Sequence, residues 1–355
     1  MTDHLHLWLR HEIRQTERRT PILPDDARRL VEKGFVVTVE ESAQRACPVA
    51  AYADAGCRIA PAGSWVSAGP DEVIVGLKEL PVLPDALVHR HVYFGHAYKG
   101  QEGARDLLRR FAAGGGTLLD IEYLVDESGR RLAAFGFWAG YVGAALAVLQ
   151  YRGELGTPLR PRSKAELDAQ LARGSGGPQP RVLVIGALGR CGQGARAALE
   201  VAGIAATGWD VAETRDLDKA ALLDHDVLVN TVLTTRPVPP FVTHDDLDTA
   251  GRRLSLICDV TCDVTSTLNV LPIYSSVTSW PEPVLRLRGG DHPVDIIAID
   301  NLPSLLPAEA SLAFSAELTE QLLLLDGAAV WDRCESAFRS AMSAAGLGRE
   351  INAGR

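Results

Sequence analysis

A glycine-rich segment in the middle of this 355-residue chain limits its fold more than any other feature. The segment opens with an uninterrupted apolar run at residues 182–185, which is typical of a strand buried on both faces of a parallel sheet. Helix-forming residues occupy positions 195–201, and the glycines between are Gly186, Gly189, Gly192 and Gly194. This order predicts a strand, a glycine turn and the start of a helix.

The same order suits a bound dinucleotide. A helix N-terminus offers unpaired N–H groups, and glycines let a pyrophosphate approach the backbone. Asp210 follows a second predicted strand at residues 205–209, where a carboxylate accepts hydrogen bonds from a ribose diol and repels a 2′-phosphate. We therefore expect NAD rather than NADP. A glycine pattern alone is a weak signal, and its alternatives are an ordinary turn and, for Asp210, a turn carboxylate.

Charge and cysteine content narrow the class of protein. The net charge of −9 argues against nucleic acid or an anionic membrane as a partner. Arginines are nonetheless frequent in the first thirty residues, either on a solvated face or in a pocket for an anionic substrate. The six cysteines lack C-x-x-C pairs and zinc-like spacing, so we expect reduced thiols, no metal and a cytoplasmic protein. The apolar stretch 132–149 indicates a helix buried between two domains rather than a membrane span.

Strands and helices alternate along the chain. Before the glycine turn, strands are predicted at residues 5–9, 36–39, 73–76 and 91–95, with a helix at 26–33 that Asp25 caps. After it, strands are predicted at residues 227–230, 254–260 and 294–299, and helices at 308–325 and 330–345. The alternation predicts an α/β protein with two Rossmann-like, doubly wound domains.

Polar side chains follow two neighbouring strands of the first predicted sheet. Lys78 and Glu79 come after the strand at residues 73–76, and His96 comes after the strand at residues 91–95. Ligands of open α/β sheets bind beyond the carboxyl ends of the strands, which makes these residues candidates for a site. An exposed surface position is an equally good interpretation of each of them.

Five blocks of sequence resemble those of one family, and they occur in the same order. They are residues 76–79, 94–99, 129–137, 185–192 and 299–307. The chain resembles the NAD-dependent, L-lysine-forming saccharopine dehydrogenases, which have an alanine dehydrogenase-like two-domain fold. The resemblance implies a substrate domain at residues 1–135 plus about 318–355, an NAD-binding Rossmann domain at 136–317, and an active site in the cleft between the domains. It also implies oxidation of saccharopine by NAD and release of L-lysine and 2-oxoglutarate.

That reaction needs groups that accept and donate protons near neutral pH. By resemblance, Lys78 is the base that takes a proton from the secondary amine. His96 is the acid/base group for water addition and carbinolamine breakdown, and Glu79 and Glu122 tune both. A lysine serves as a base only if burial or neighbouring positive charge lowers its pKa, and nearby carboxylates act in the opposite direction.

The resemblance also assigns binding residues. Guanidinium and ammonium groups suit a substrate with three carboxylates. The implied substrate-side residues are Arg14, Arg19, Lys99, Gln101, Phe135, Thr261, Cys262 and Asp263. The implied cofactor-side residues are Arg130, Gly186, Gly189, Arg190, Asp210, Thr214, Val260, Ile299, Asp300, Asn301 and Leu302.

The chain departs from the family pattern near the implied cleft. Thr231 stands where the family member compared has a cysteine, which excludes a disulfide with Cys191, and Leu233 replaces an aromatic residue at the adenosine. Leu268 replaces a histidine, which leaves the amine substrate open. The alternatives are a related opine-type dehydrogenase that couples another amine to a 2-oxo acid, and a non-catalytic NAD(H)-binding regulator. We expect small-molecule substrates as the binding partners. We also expect a monomer or small homo-oligomer that acts in lysine biosynthesis.

Overall fold

The computed structural model describes residues 5–101, 103–174, 177–234, 236–264 and 266–348. The chain divides into two compact units: unit 1 comprises Met1–Ala134 and Ala310–Arg355, and unit 2 comprises Phe135–Glu309. The first boundary lies beside the expected position 135, whereas the second precedes the expected position 317. Unit 1 therefore includes most of a C-terminal helix whose start had been assigned to the nucleotide domain.

Each unit is built on one six-stranded sheet. The strands are β1 His6–Leu9, β2 Val36–Glu40, β3 Arg58–Ala60, β4 Val73–Val75, β5 Arg90–Tyr93, β6 Thr117–Asp120, β7 Val182–Ile185, β8 Thr207–Trp209, β9 Val227–Asn230, β10 Leu256–Asp259, β11 Leu285–Arg288 and β12 Val294–Ile297. The helices are α1 Pro24–Glu32, α2 Val49–Asp54, α3 Ala104–Gly114, α4 Gly136–Tyr151, α5 Lys164–Ala172, α6 Arg190–Val201, α7 Val211–Thr214, α8 Lys219–Leu223, α9 His244–Leu247, α10 Pro307–Leu322 and α11 Ala329–Ala344. Short 3₁₀ helices occupy Ser64–Ser67, Ile121–Tyr123 and Leu302–Leu305.

The strand orders confirm the predicted α/β class with two Rossmann-like sheets. Unit 1 has the order β3-β2-β1-β4-β5-β6, with every pairing parallel. Unit 2 has the order β11-β12-β10-β9-β7-β8, in which only β11 runs antiparallel to its neighbour. The chain changes direction across the sheet between β1 and β4 in unit 1 and between β7 and β9 in unit 2. Such switch points are where open α/β sheets bind ligands, at the carboxyl ends of the strands.

The long apolar stretch forms helix α4, an internal helix of unit 2. Ten of its residues are buried, and eight of these pack in one apolar cluster with strands β7, β9 and β10 and helix α6. The expectation of a helix between two domains is therefore corrected, because this burial is within one unit. No helix in the described part of the chain combines the length and the apolar character needed to cross a membrane.

Two helix starts differ from the sequence prediction. Helix α1 begins at Pro24, with Leu23 at the N-cap position and no side-chain cap, so Asp25 lies in the first turn rather than capping the helix. Proline favours the first helical position because its φ is fixed and its missing N–H costs nothing there. Helix α6 begins at Arg190, so that Gly192 and Gly194 lie inside the helix rather than in the turn.

Close packing explains the two helical glycines. A Cβ on Gly192 would lie 2.1 Å from the carbonyl oxygen of Gly186, and one on Gly194 would lie 1.8 Å from that of Phe137. Both distances are far below van der Waals contact, so only glycine fits. The glycine pattern predicts that both residues lie in the turn, whereas in the structure they allow α6 to approach the glycine turn and helix α4.

Candidate active site

The predicted acid/base residues of unit 1 follow adjacent strands of one sheet. Lys78 follows β4, His96 follows β5 and Glu122 follows β6, and these strands are neighbours in that order. Main-chain bonds continue past the strands, since Phe94 N donates to Leu77 O at 3.2 Å. The carboxyl edge of the sheet thus gathers residues that lie far apart in sequence.

Lys78 lies at the switch point between β1 and β4. Its backbone N–H donates to Glu12 Oε2 at 2.9 Å, and its carbonyl accepts a hydrogen bond from Arg10 Nη2. Arg10 and Glu12 are buried, with exposures of 1% and 7%, and their charged groups are 3.3 Å apart. Neither residue was a predicted site residue, because the arginine-rich segment around them predicts only a solvated face or a pocket for an anionic substrate.

Two carboxylates face the positive charge of Lys78, and each is paired with an arginine. Arg14 Nε lies 2.8 Å from Glu79 Oε1. Arg19 binds Glu17 through both carboxylate oxygens, at 2.8 and 2.6 Å. Burial raises the pKa of Glu79 and of Glu17, but the paired arginine and the charge of Lys78 outweigh it and leave both values below normal. Both carboxylates are therefore ionised at neutral pH.

The backbone of His96 is strained, and its side chain packs on a neighbouring aromatic ring. Its φ is 48°, in the left-handed region that residues with a Cβ rarely adopt, and its ring stacks on Phe94 with centroids 6.4 Å apart. Its Nδ1 lies 3.7 Å from Glu122 Oε2, which is too long for a hydrogen bond but close enough for charge attraction. A strained conformation of this kind is typical of functional residues.

Glu122 pairs with two positively charged side chains near His96. Its Oε1 lies 2.7 Å from Lys99 Nζ and 3.2 Å from Arg131 Nη2. Burial raises the pKa of Glu122, yet His96, Lys99 and Arg131 together lower it to about 2. The backbone N–H of Glu122 donates to Oδ1 of the fully buried Asp120 at 2.9 Å.

A pocket of 480 Å³ opens beside these residues within unit 1. Arg14, Glu79, His96 and Gln101 line it together with apolar side chains such as Leu80 and Phe94. Four of the predicted site residues thus share one concave, mixed polar and apolar surface, as expected of a small-molecule site.

The predicted dinucleotide turn of unit 2 has the geometry that the glycine pattern requires. Gly186 has a φ of 83°, and a Cβ there would lie 2.6 Å from Thr231 Oγ1. Gly189 is the N-cap of α6 and has no side chain to cap the helix, and anions bind at helix N-termini. Asp210 follows β8 and accepts a hydrogen bond from Leu188 N in the turn at 3.0 Å.

Asp210 also has a structural contact. Its Oδ1 accepts a hydrogen bond from Val211 N at 2.9 Å at the start of α7, and Thr214 Oγ1 donates to its main-chain carbonyl at 2.8 Å. The sequence alternative of a turn carboxylate therefore describes part of its role. The link from Asp210 to Leu188 fixes the carboxylate at the glycine turn, where a ribose diol would reach it.

A second loop of unit 2 is organised by Asp259, at the end of β10. This buried carboxylate accepts bonds from Asn230 Nδ2 at 3.0 Å, Tyr274 OH at 2.7 Å and Thr261 Oγ1 at 2.7 Å. Cys262 has a φ of 52°, and burial raises the pKa of its thiol well above normal, which makes the thiol unreactive. Asp259 was not singled out from the sequence, because it occurs within a predicted strand.

The structure divides the remaining predicted residues between the units. Lys99 N donates to Gln101 Oε1 at 2.8 Å in unit 1. Arg130 also lies in unit 1, in a turn where its N–H donates to Asp126 Oδ1 at 3.0 Å, unlike the other predicted cofactor residues. The rest belong to unit 2: Phe135 and Arg190 at the starts of α4 and α6, Val260 and Asp263 after β10, and Ile299, Asp300, Asn301 and Leu302 after β12.

Known proteins match this architecture. The sequence profile of the alanine dehydrogenase/PNT N-terminal domain matches residues 8–142. An L-alanine dehydrogenase structure superposes with a TM-score of 0.64 at 18% identity, covering 94% of this chain and 93% of the other. A transhydrogenase from Sinorhizobium meliloti superposes with a TM-score of 0.63 at 18% identity, covering 90% and 94%. The two mostly parallel sheets and these superpositions thus define an α/β protein of the alanine dehydrogenase-like fold.

Sequence relatives place the chain within that class. The Schizosaccharomyces pombe saccharopine dehydrogenase (NAD⁺, L-lysine-forming) is 39% identical over 94% of this chain and 98% of its own length. The enzyme of the same name from Neurospora crassa is 41% identical over 94% and 95%. The chain belongs to the family of L-lysine-forming, NAD⁺-dependent saccharopine dehydrogenases.

Proposed function

We propose that the chain catalyses the reversible, NAD-dependent oxidative cleavage of saccharopine to L-lysine and 2-oxoglutarate. The single observation that carries this proposal is the near full-length match to enzymes of that name, at 38–41% identity in several species. The placement of Lys78 and His96 after adjacent strands of one sheet supports it, because the reaction needs more than one proton-transfer group.

The residues of unit 2 fit the cofactor. Close backbone packing at Gly192 and the positive φ of Gly186 shape a tight turn at the N-terminus of α6, where a pyrophosphate would lie. The carboxylate of Asp210 would bind the ribose hydroxyls and disfavour a 2′-phosphate. When bound, NAD⁺ supplies the hydride acceptor that the oxidation of the amine requires.

The residues of unit 1 would move the protons. Lys78 Nζ, in its neutral form, would accept the proton of the substrate's secondary amine, and the ionised Glu17 and Glu79 would stabilise the ammonium group that results. His96 would take a proton from the water that adds to the imine. His96 would then return a proton to the leaving lysine nitrogen. The ionised Glu122 beside His96 would stabilise the imidazolium while it holds that proton.

The cations of this site would receive the substrate carboxylates. The side chain of Arg14 is 29% exposed and that of Lys99 is 54% exposed, and each forms an ion pair with a glutamate. Arg19 is 5% exposed and bound through two bonds to Glu17. We propose that Arg14 and Lys99 contact substrate, and that Arg19 acts with Glu17 near Lys78.

The experiment that tests the proposal is an assay of NADH oxidation with 2-oxoglutarate and a panel of amines. L-Lysine should give the highest kcat/KM, and NADPH should be a poor substitute for NADH. A clear preference for another amine would instead support the opine-type alternative, for which Leu268 in place of the family's histidine is the motivating feature. Binding of NADH without turnover on any pair would support the regulator.

We further propose a cytoplasmic enzyme of lysine biosynthesis that is a monomer or small homo-oligomer and that binds neither nucleic acid nor membranes. All six cysteines are free in the structure, which is typical of a reducing compartment. Fluorescence localisation and lysine auxotrophy on deletion of the gene test the first two statements. Sedimentation of the purified protein tests the third.

A further inference from the structure

We infer that Glu12 is a positioning residue for Lys78, and that it holds the backbone of the base in place for proton transfer. The inference rests on the proposed function for the role of Lys78. It concerns a residue outside the family positions named above. Its basis is the set of hydrogen bonds by which a buried carboxylate fixes the loop after β4.

Both oxygens of Glu12 accept main-chain bonds from this loop. Leu77 N lies 2.7 Å from Glu12 Oε1, and Lys78 N lies 2.9 Å from Glu12 Oε2. Charge-assisted bonds of this kind are shorter and stronger than neutral ones. They are also directional, so two of them on consecutive N–H groups fix the orientation of the intervening peptide.

The carbonyl groups of the same residues are held as well. Leu77 O accepts a bond from Phe94 N at 3.2 Å, and Lys78 O accepts one from Arg10 Nη2. Arg10 is itself paired with Glu12 at 3.3 Å. All four main-chain polar groups of Leu77 and Lys78 are therefore engaged, and the same network reaches the segment that leads to His96.

The neighbouring glycine shows that this arrangement is built into the sequence. A Cβ on Gly76 would lie 2.4 Å from Arg10 Nε, within the buried guanidinium group. Any larger residue at position 76 would displace Arg10 and loosen its bond to Lys78. A buried ion pair is expensive to assemble and contributes little net stability on average. Its location at the switch point beside the base is what points to a role in positioning.

A positioning role and a purely structural role predict different kinetics. Misplacement of the base by about 1 Å slows chemistry by up to about 100-fold without weakening substrate binding. General loss of stability lowers the amount of folded enzyme and leaves the kcat of the folded fraction unchanged. The split between kcat and KM, measured per folded molecule, therefore separates the two roles.

The variant Glu12→Gln tests the inference in the full-length enzyme. Its side chain keeps one acceptor oxygen but turns an NH₂ group towards the second backbone N–H, so one of the two bonds is lost. We expect kcat for saccharopine oxidation to fall about 10- to 100-fold, with KM for saccharopine and the dissociation constant of NADH within about twofold of wild type. The shorter Glu12→Asp, which keeps the charge, should retain more activity than Glu12→Gln.

Asp226→Asn is the matched control. Asp226 is also a buried carboxylate, 7% exposed, and it accepts a bond from Arg181 N at 2.8 Å and pairs with Arg253 at 2.9 Å. It precedes β9 in unit 2, at the amino end of the strand and away from the switch point. We expect this control to lower the thermal midpoint while its kcat stays at the wild-type value.

Amide hydrogen exchange of the peptide spanning residues 74–80 provides a second readout, independent of activity. Glu12→Gln should exchange faster there than wild type, and Asp226→Asn should not. Unchanged exchange, or an unchanged kcat in folded Glu12→Gln, would overturn the inference, as would a loss confined to KM. If wild type does not turn over saccharopine, the proposed function fails. The exchange result still decides whether Glu12 positions residue 78: faster exchange in Glu12→Gln supports this role, and unchanged exchange overturns it.

Discussion

Asp120 makes the stability of unit 1 depend on pH. It is completely buried, its Oδ1 accepts a hydrogen bond from Glu122 N, and burial raises its pKa from 3.8 to about 6. Because the folded value exceeds the unfolded one, the stabilising contribution of the neutral acid is complete below about pH 3.8. It is lost as the pH rises through about 6.

The isosteric variant Asp120→Asn removes this titration. The free energy of unfolding of the variant minus that of wild type should rise by about 1–3 kcal/mol as the pH is raised from 4 to 7.5. Each pKa unit corresponds to about 1.4 kcal/mol. Urea denaturation of both proteins at the two pH values measures the difference. A difference between the proteins that does not change with pH would contradict the buried-acid interpretation.

Lys78→Met tests the base itself. Methionine keeps much of the side-chain volume and removes the amine, so we expect the NADH dissociation constant to be retained while turnover falls about 100-fold or more. Fluorescence titration with NADH and initial-rate kinetics measure the two quantities. Lys33→Met, at an exposed lysine that follows helix α1, is the control and should turn over normally. Near-normal turnover in Lys78→Met would remove Lys78 from the mechanism.

At the scale of elements, the contact between helices α4 and α6 depends on glycine. A Cβ on Gly140 would lie 1.7 Å from Cys191 O, a main-chain atom of α6 that cannot move alone. Gly140→Ala should therefore force the helices apart and reduce the free energy of unfolding by about 1–3 kcal/mol. Gly289→Ala, with no atom within 4 Å of its added Cβ, should change it by less than about 0.5 kcal/mol. Equal effects in urea denaturation would contradict this account of the packing.

The elements with strong periodicity were predictable, and those governed by tertiary contacts were not. Strand β7 matches the prediction because a continuous apolar run is a local signal. The start of α6 was wrong because glycines normally indicate a turn, and only the packing partners of Gly192 and Gly194 show why a helix tolerates them. Strand β11 was not predicted from the sequence. It is an edge strand that pairs only with β12, and none of its four residues is buried, so it lacks the apolar run of a buried strand.

The candidate site shows the same division. Lys78 and His96 were predicted because each follows a predicted strand, and Glu122 was predicted because the family resemblance implies it. Glu12 and Asp259 were not, because a carboxylate that binds backbone N–H groups has no sequence signature of its own. Spatial neighbours 65 positions apart, such as Arg14 and Glu79, become visible only when the strand order is known.

At the scale of the whole molecule, the cofactor should stabilise the fold selectively. A ligand that binds only the folded state adds about 2.7 kcal/mol to its stability at 100 times the dissociation constant. The glycine turn, Asp210 and the N-terminus of α6 all lie in unit 2, so the protection should be centred there. We expect NADH to raise the thermal midpoint and to slow hydrogen exchange in strands β7 and β8, and NADPH to do so much less.

Asp210→Ala separates recognition of the ribose from support of the turn. Loss of the carboxylate removes the bonds to Leu188 N and Val211 N, so the affinity for NADH should fall. If the carboxylate also reads the ribose, the same change removes its repulsion of the 2′-phosphate, and the stabilisation by NADPH should approach that by NADH. Thermal midpoints at matched cofactor concentrations measure both effects. Equal weakening of the two cofactors, with their ratio unchanged, would mean that Asp210 only holds the turn and that the 2′ position is recognised elsewhere.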